Sequence, residues 1–302
     1  MADTFLVTGG LGCLGAWSCS VLADEGAAVV AFDIGDDPAR LELVMGPEAL
    51  ERVTLVRGDV TNLDEVEQAI ADHEVTHVIH LAALQVPFCR ADPVRGARVN
   101  VVGTACLFEA VKRRELGTTI AWASSAAVYD RSGAIAPTTI YGVYKLANEG
   151  TARIYWEESG VASVGLRPFC VYGPGRDQGL TAEPTHAMRA VANGEPYGIA
   201  FGGRTELHYA PDVARAFVSA AQQPPTSADV YDMPGESVHM SDVVAAIAAV
   251  VPDADVTFEE EPLPFPDELP GKRFGAPFTP LAEGIAQTIE HFRRLTQPTI
   301  RV

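Results

Sequence analysis

Thr4-Phe5-Leu6-Val7-Thr8-Gly9-Gly10-Leu11-Gly12-Cys13-Leu14-Gly15 is the stretch on which the fold of this chain turns. Its first four residues form an apolar run of strand length. Beyond the glycines, Leu14, Ala16, Trp17, Val21 and Leu22 recur at helical spacing. The glycines therefore stand between a strand and a helix. Gly9 permits a tight turn at positive φ. Gly12 lets a pyrophosphate approach the backbone, and Gly15 lets the helix lie close on the strand. The helix start offers free N–H groups and the positive end of a dipole, and Leu14 belongs to that first turn. A second apolar run, Ala28–Phe32, ends in Asp33. A carboxylate there accepts two ribose hydroxyls and repels a 2′-phosphate. Three glycines alone say little in a chain that has 27 of them. A strand–turn–helix–strand unit closed by an acid says more: it points to a dinucleotide, NAD rather than NADP.

Outward from this unit the pattern repeats. Strands are predicted over 53–56, 75–80, 119–123 and 162–166. Helices are predicted over 40–45, 63–71 (with Asn62 as N-cap), 95–114 and 141–159. Alternating strands and helices with short connections predict an α/β fold, a doubly wound parallel sheet. From Arg167 the order changes. Residues 167–176 are broken by Pro and Gly and read as loop. Helices near 184–193, 212–221, 241–250 and 280–295 follow, with a strand near 230–233 and an extended acidic stretch over 259–270. This gives a dinucleotide-binding domain over 1–175 and a smaller irregular substrate lobe over 176–302, with segments near 207–233 returning to the first domain.

The formal charge of −18, from 40 acidic against 22 basic residues, repels nucleic acid and anionic membrane surfaces. An anionic substrate would need a local basic pocket. No apolar run reaches the roughly 20 residues of a membrane span, and the N-terminus lacks the features of a secretory signal. Five scattered cysteines without a C-x-x-C pair point to a reducing cytoplasm and away from disulfides or zinc.

Three residues carry the candidate chemistry. Tyr141 and Lys145 are four apart and share a helix face. Ser125 lies just past the end of the preceding strand. A phenol is a poor base at neutral pH. A nearby Lys ammonium and a positive nicotinamide ring both favour its phenolate. Tyr141 then takes a proton from a substrate hydroxyl, Ser125 holds the oxygen, and Lys145 also holds the nicotinamide ribose. Tyr144 has no lysine at i+4 and is set aside. His80 is expected to be a satisfied buried histidine, and no metal site is read. Leu81-Ala82-Ala83 follows, and small residues there let the chain pass close to the cofactor. The segment 84–93 is read as loop, with Gln85 and Arg90 able to reach substrate. Asn100, mid-helix, hints at a specific partner. Asp59 reads equally as an adenine contact and as a turn residue.

The motifs together resemble the extended short-chain dehydrogenase/reductases, the NAD-dependent sugar epimerase/dehydratase family. They are T-G-G-L-G-C-L-G, Asp33, Gly58-Asp59-Val60, His80–Ala83, Asn100 with Gly103-Thr104, S-S-A-A-V-Y, Y-G-V-Y-K and R-P-F-C-V-Y-G-P-G-R. The resemblance implies a Rossmann-type fold and cofactor contacts from Gly9, Gly12, Leu14, Gly15, Asp33, Asp59, Val60, Leu81, Ala82, Ala83, Asn100, Tyr141 and Lys145. It implies Ser125, not Ser124, as the catalytic hydroxyl, and a homodimer through helices 95–114 and 141–159. The leading reading is epimerisation of a sugar or nucleotide sugar. The alternative is net dehydrogenation of a free sugar, aldonate or uronate, and a non-catalytic NAD-sensing protein ranks below both. Ala126 and Ala127 replace the Asp-Glu pair of sugar dehydratases, which argues against 4,6-dehydration. Cys170 stands where nucleotide-sugar members usually have Asn. Thr205 stands where they place a diphosphate-binding Arg, leaving Arg204, Lys272 or Arg273 as substitutes. Gln85, Arg90, Ser125, Arg176 and Arg204 are the expected substrate contacts.

Overall fold

The computed structural model describes residues 3–296. β1 (Thr4–Thr8) runs through the glycine turn into α1 (Cys13–Asp24) and β2 (Ala28–Asp33). α2 (Ala39–Met45) and the short α3 (Pro47–Leu50) lead to β3 (Val53–Arg57) and α4 (Leu63–Asp72). The Asn62 side chain caps α4 by accepting from the Asp64 N–H. β4 (His77–His80), α5 (Val86–Ala91), α6 (Pro93–Ala97), a π-helical turn over Arg98–Val102 and α7 (Gly103–Arg113) come next. β5 (Ile120–Ala123), α8 (Ile140–Ser159) and β6 (Ser163–Arg167) complete the alternating region.

The main sheet has seven strands in spatial order 3-2-1-4-5-6, with β10 (Ala228–Asp232) added beyond β6. All its pairs are parallel. Strands such as Phe5-Leu6-Val7 and Val29–Phe32 are buried along their length, as a sheet covered on both faces requires. The strand order reverses between β1 and β4. That is the switch point where a crevice opens at the carboxyl ends of the strands.

The rest of the chain builds a second core. β7 (Cys170–Tyr172), α9 (Glu183–Ala192), β8 (Tyr197–Ile199) and β9 (Arg204–Tyr209) come before α10 (Ala210–Ala221). β11 (Glu236–His239), α11 (Met240–Val250), β12 (Val256–Phe258) and α12 (Leu281–Thr296) come after β10. β7, β9 and β11 form a small sheet, and β8 pairs with β12. Met188, Phe201, Met240, Ile285 and Ile289 pack in this core. α10 does not stay in it: Val213, Ala216 and Phe217 pack with Ala16 and Cys19 of α1. Among the described residues no helix is long and apolar enough to cross a membrane.

Several elements depart from the sequence reading, each for a local reason. The segment 84–93, expected as loop, holds α5. Pro87 sits in the first turn of α5, where its missing N–H costs nothing, and Cys89 is buried. The helix expected over 95–114 is interrupted by the π turn. Within 167–176, β7 is a strand because β9 pairs with it. β9 itself escaped notice because buried Glu206 and His208 break its apolar pattern.

Candidate active site

Two adjoining cavities lie along the carboxyl edge of the sheet, of about 480 and 440 Å³, and they share Gly9, Gly12, Leu81 and Ala83. The first is lined by Asp33, Asp59, Val60 and Ala82, the second by Leu14, Gly15, Ser125, Tyr141 and Lys145. The glycine turn is shaped by contact. Gly9 has φ of +71°, and a Cβ on it would come within 2.7 Å of the Ala82 nitrogen. A Cβ on Gly15 would collide with the Gly9 carbonyl. Gly12 is the N-cap of α1 and offers no side chain there. The helix start is therefore clear for an anion. The Asp33 carboxylate accepts from the Leu11 and Gly35 N–H groups, each at 3.1 Å, which fixes it at the rim. Asp59 serves as a turn residue, its Oδ1 accepting from the Thr61 N–H at 2.8 Å, and it also lines the cavity. An uncapped helix start, a close-packed glycine turn and a held carboxylate fit a dinucleotide.

α8 and the end of β5 supply the chemical groups. Thr139 caps α8, accepting from the Gly142 N–H at 3.0 Å. A Cβ on Gly142 would run into the Ala127 carbonyl, so the glycine lets the helix start lie against the turn after Ser125. Ser125 Oγ accepts from the Ala127 N–H at 3.1 Å and hydrogen-bonds Tyr141. Lys145 is buried, donates to the Ala123 carbonyl at 2.7 Å, and lies 5.6 Å from the centre of the Tyr141 ring. Burial brings the Lys145 ammonium down to about 8. Burial also pushes the Tyr141 phenol up to about 12, opposed by the Ser125 hydrogen bond and by the charge of Arg176. The lysine was expected to be the cation that lowers the phenol. It donates to the carbonyl at the end of β5, and the charge of Arg176 also favours the phenolate.

Below these groups runs a buried polar network that the sequence reading missed. Ser124 donates to Glu149 at 2.6 Å, and Arg167 grips the same carboxylate with two bonds of 2.7 Å. Arg167 also meets Asp232 at 3.3 Å, and Tyr129 donates to Asp232 at 3.0 Å. Glu149 follows Lys145 by four residues, so the Tyr141–Lys145 spacing extended one step further would have found it.

Other expected contacts are distributed differently. His80 is buried between Thr8 and Thr104, at 2.7 and 3.0 Å. Asn100, expected at the cofactor, lines neither cavity. Its Oδ1 accepts from the Leu84 N–H at 2.9 Å and its Nδ2 donates to the Leu84 carbonyl at 3.0 Å, so it pins the strand-end loop from behind. The π turn frees the Asn100 carbonyl, which accepts from Thr104 and from Asn148, each at 2.8 Å. Gln85, Arg90 and Arg176 line the second cavity. Arg204 does not. It starts β9 on the exposed side and donates to the Ser237 carbonyl, while Thr205 points inward and is buried. The substitutes for it lie elsewhere too: Arg273 pairs with Glu206, and Lys272 sits over the Tyr231 ring at 4.7 Å.

The segment after β7 closes over the glycine turn. The Pro174 carbonyl accepts from the Trp17 indole at 2.9 Å. Arg40 of α2 donates to both oxygens of Asp177, at 2.9 and 3.0 Å, and to the Leu11 carbonyl at 3.3 Å.

Residues 5–233 match the model of the NAD dependent epimerase/dehydratase family. UDP-glucuronate 4-epimerase 2 of Arabidopsis thaliana is 32% identical over 182 residues, 56% of this chain; the match spans only 42% of that relative's length. A UDP-glucose 4-epimerase of Mycolicibacterium smegmatis is 28% identical over 321 aligned positions, covering 97% of this chain and 99% of the relative. The solved UDP-glucose 4-epimerase of Thermus thermophilus with NAD superposes with a TM-score of 0.75 at 26% identity, covering 96% of this chain and 99% of that one.

Proposed function

This chain belongs to the NAD dependent epimerase/dehydratase family, and from that premise we propose that it epimerises a secondary alcohol of a sugar or nucleotide sugar. The observation that carries the proposal is the convergence of Ser125, Tyr141 and Lys145 on one cavity that adjoins the dinucleotide-shaped one. When bound, NAD supplies a reversible hydride acceptor whose ring charge favours the Tyr141 phenolate. Gly9, Gly12, Asp33, Asp59, Val60 and Leu81–Ala83 would hold it. Tyr141 takes the hydroxyl proton as the carbinol becomes a ketone, and returns it when the ketone is reduced from the other face. Ser125 orients the oxygen, and Lys145, anchored on Ala123, holds the ribose side. The full-length similarity to a UDP-glucose 4-epimerase supports a nucleotide sugar. The outward placement of Arg204 supports the second reading, net dehydrogenation of a smaller sugar acid.

Tyr141→Phe keeps the ring and removes only the phenol. It should lower turnover by about 10²–10⁴-fold while leaving NAD binding near normal. Turnover close to wild type would reject the mechanism. Accumulation of reduced cofactor in solution selects dehydrogenation over epimerisation. The reading also includes a homodimer, supported by the exposed apolar residues Val94, Val102, Val143 and Ile154, and a cytoplasmic site, supported by five free thiols.

A further inference from the structure

The apolar wall of the cavity at Tyr141 comes from two distant pieces of chain, Phe169 after β6 and Leu263-Pro264-Phe265, and the two phenylalanine rings meet edge to face at 5.4 Å. Phe169 is placed by the strands on either side of it. Residues 263–265 are not: between β12 and α12 the chain forms no helix and only isolated bridges. The hydrophobic effect has no direction, so apolar contact alone does not fix such a segment.

Behind the wall, and lining neither cavity, a buried cluster supplies the direction. The Glu206 carboxylate is fully buried, and four donors fill its two oxygens. Arg273 donates to both at 2.6 Å. The Leu269 N–H adds a third bond, and His208 Nε2 a fourth at 3.4 Å. Arg273 also donates to the Leu269 and Met233 carbonyls, each at 2.8 Å. On its other side His208 accepts at Nδ1 from the Phe169 N–H, at 3.0 Å. That bond sets the tautomer: Nε2 carries the proton and offers it to Glu206. Room for the ring is built in, since a Cβ on Gly235 would stand 2.6 Å from His208 Nε2. One carboxylate thus reaches both halves of the wall, Phe169 through His208 and the 263–265 stretch through Leu269 and Arg273. Exchanging a buried ion pair for apolar residues often costs no stability. What this cluster adds is geometry, because each bond ties a particular backbone atom to one point.

We propose that Glu206 is a positioning residue for the substrate site: through His208 and Arg273 it fixes the spacing between Phe169 and Leu263–Phe265, and so the length of substrate that the cavity admits. The proposal rests on the reading of that cavity as the substrate site.

The test uses full-length, NAD-loaded protein. Glu206→Gln keeps the shape and removes the charge. His208→Asn keeps an acceptor for the Phe169 N–H but is too short to reach Glu206. The first readout is hydrogen exchange resolved to single amides. Glu206→Gln should speed exchange of the Phe169 amide, which it does not touch, and His208→Asn that of the Leu269 amide, each by about tenfold or more. Val243→Ala, an apolar truncation in the same core, should leave both close to wild type. The second readout is steady-state kinetics on long and short members of matched pairs, UDP-glucose with glucose and UDP-glucuronate with glucuronate. In Glu206→Gln the preference in kcat/KM for one member over the other should shrink by about tenfold, through KM, with kcat for the better member within about threefold of wild type. Should Glu206→Gln fail to fold, Arg273→Lys, which keeps the charge and loses the fork, carries the same expectations. Exchange that rises only at the amide bonded to the altered side chain, or equally in Val243→Ala, overturns the coupling of the two wall segments. A length preference unchanged in Glu206→Gln, or a loss confined to kcat, overturns the role in substrate choice. Turnover of none of the four by wild type, or turnover that survives Tyr141→Phe, is instead a failure of the reading of the site, and it shows without any change at Glu206.

Discussion

His80 shows how a single side chain is settled by its surroundings. Both ring nitrogens are engaged by threonine hydroxyls in the core, and burial, with the Lys145 charge nearby, brings the imidazole down to about 3. The unfolded chain takes up a proton at this residue near pH 6.5, and the folded chain does not. Stability from this group is therefore fully present above that pH and is lost as pH falls toward 3, by about 1.4 kcal/mol per unit within the window. His80→Gln removes the titration. Urea unfolding at about pH 7 and about pH 5 should show a smaller acid loss in the variant than in wild type; equal losses would rule the assignment out. Tyr141 and Lys145 follow the same physics in opposite senses, because burial favours the neutral form of each. Composition and spacing put these residues on one helix face. The depth of each, and the nearness of the Arg176 charge to the phenol, depend on packing that a linear pattern does not carry.

α8 does two jobs with two faces. Its inner face carries Tyr141, Lys145, Asn148 and Glu149 into the site and the ion network beneath it. Its outer face carries Val143, Ala147 and Ile154, exposed and spaced by one or two turns. Gly150 lies between them, with open space where a Cβ would stand. An apolar stripe of this kind on a chain so acidic suits a second copy. Val143→Glu should convert a dimer to monomer in sedimentation velocity without changing the fold. A native protein that sediments as a monomer would remove the premise. Helices α1, α4 and α8 were legible because their apolar residues recur at helical spacing, and at α4 because Asn62 is a standard cap. The π turn at Asn100 was not, since its cause is a set of side-chain bonds from α8 and from the loop after β4.

Across the whole molecule the legible part was the parallel sheet and its crevice, where each strand is an apolar run. The second lobe was harder. Its short strands hold Glu206 and His208 inside, satisfied by Arg273 and by the Phe169 N–H, so polarity there does not mark the surface. The Arg204–Thr205 pair makes the same point. One residue of register decides which side chain enters the lobe and which leaves it.

The bridge from Pro174 and Asp177 to Trp17, Arg40 and the glycine turn has a kinetic meaning. It crosses over the start of α1, and the expectation is that opening of the Arg40–Asp177 pair limits the exit of a dinucleotide seated there. On that expectation the bridge sets whether the dinucleotide stays resident through many turnovers, as a prosthetic group does, or exchanges at each one, as a co-substrate does. Asp177→Asn keeps the shape and removes the charge. Wild-type protein should retain NAD through extended dialysis, and the variant should lose it several times faster, read as bound nucleotide released on denaturation. Equal loss from both would assign retention to the glycine turn and Asp33 alone. Arg176, which lines the cavity at Tyr141, lies between the two anchored residues, so one four-residue stretch ties retention of the dinucleotide to the shape of the reacting end.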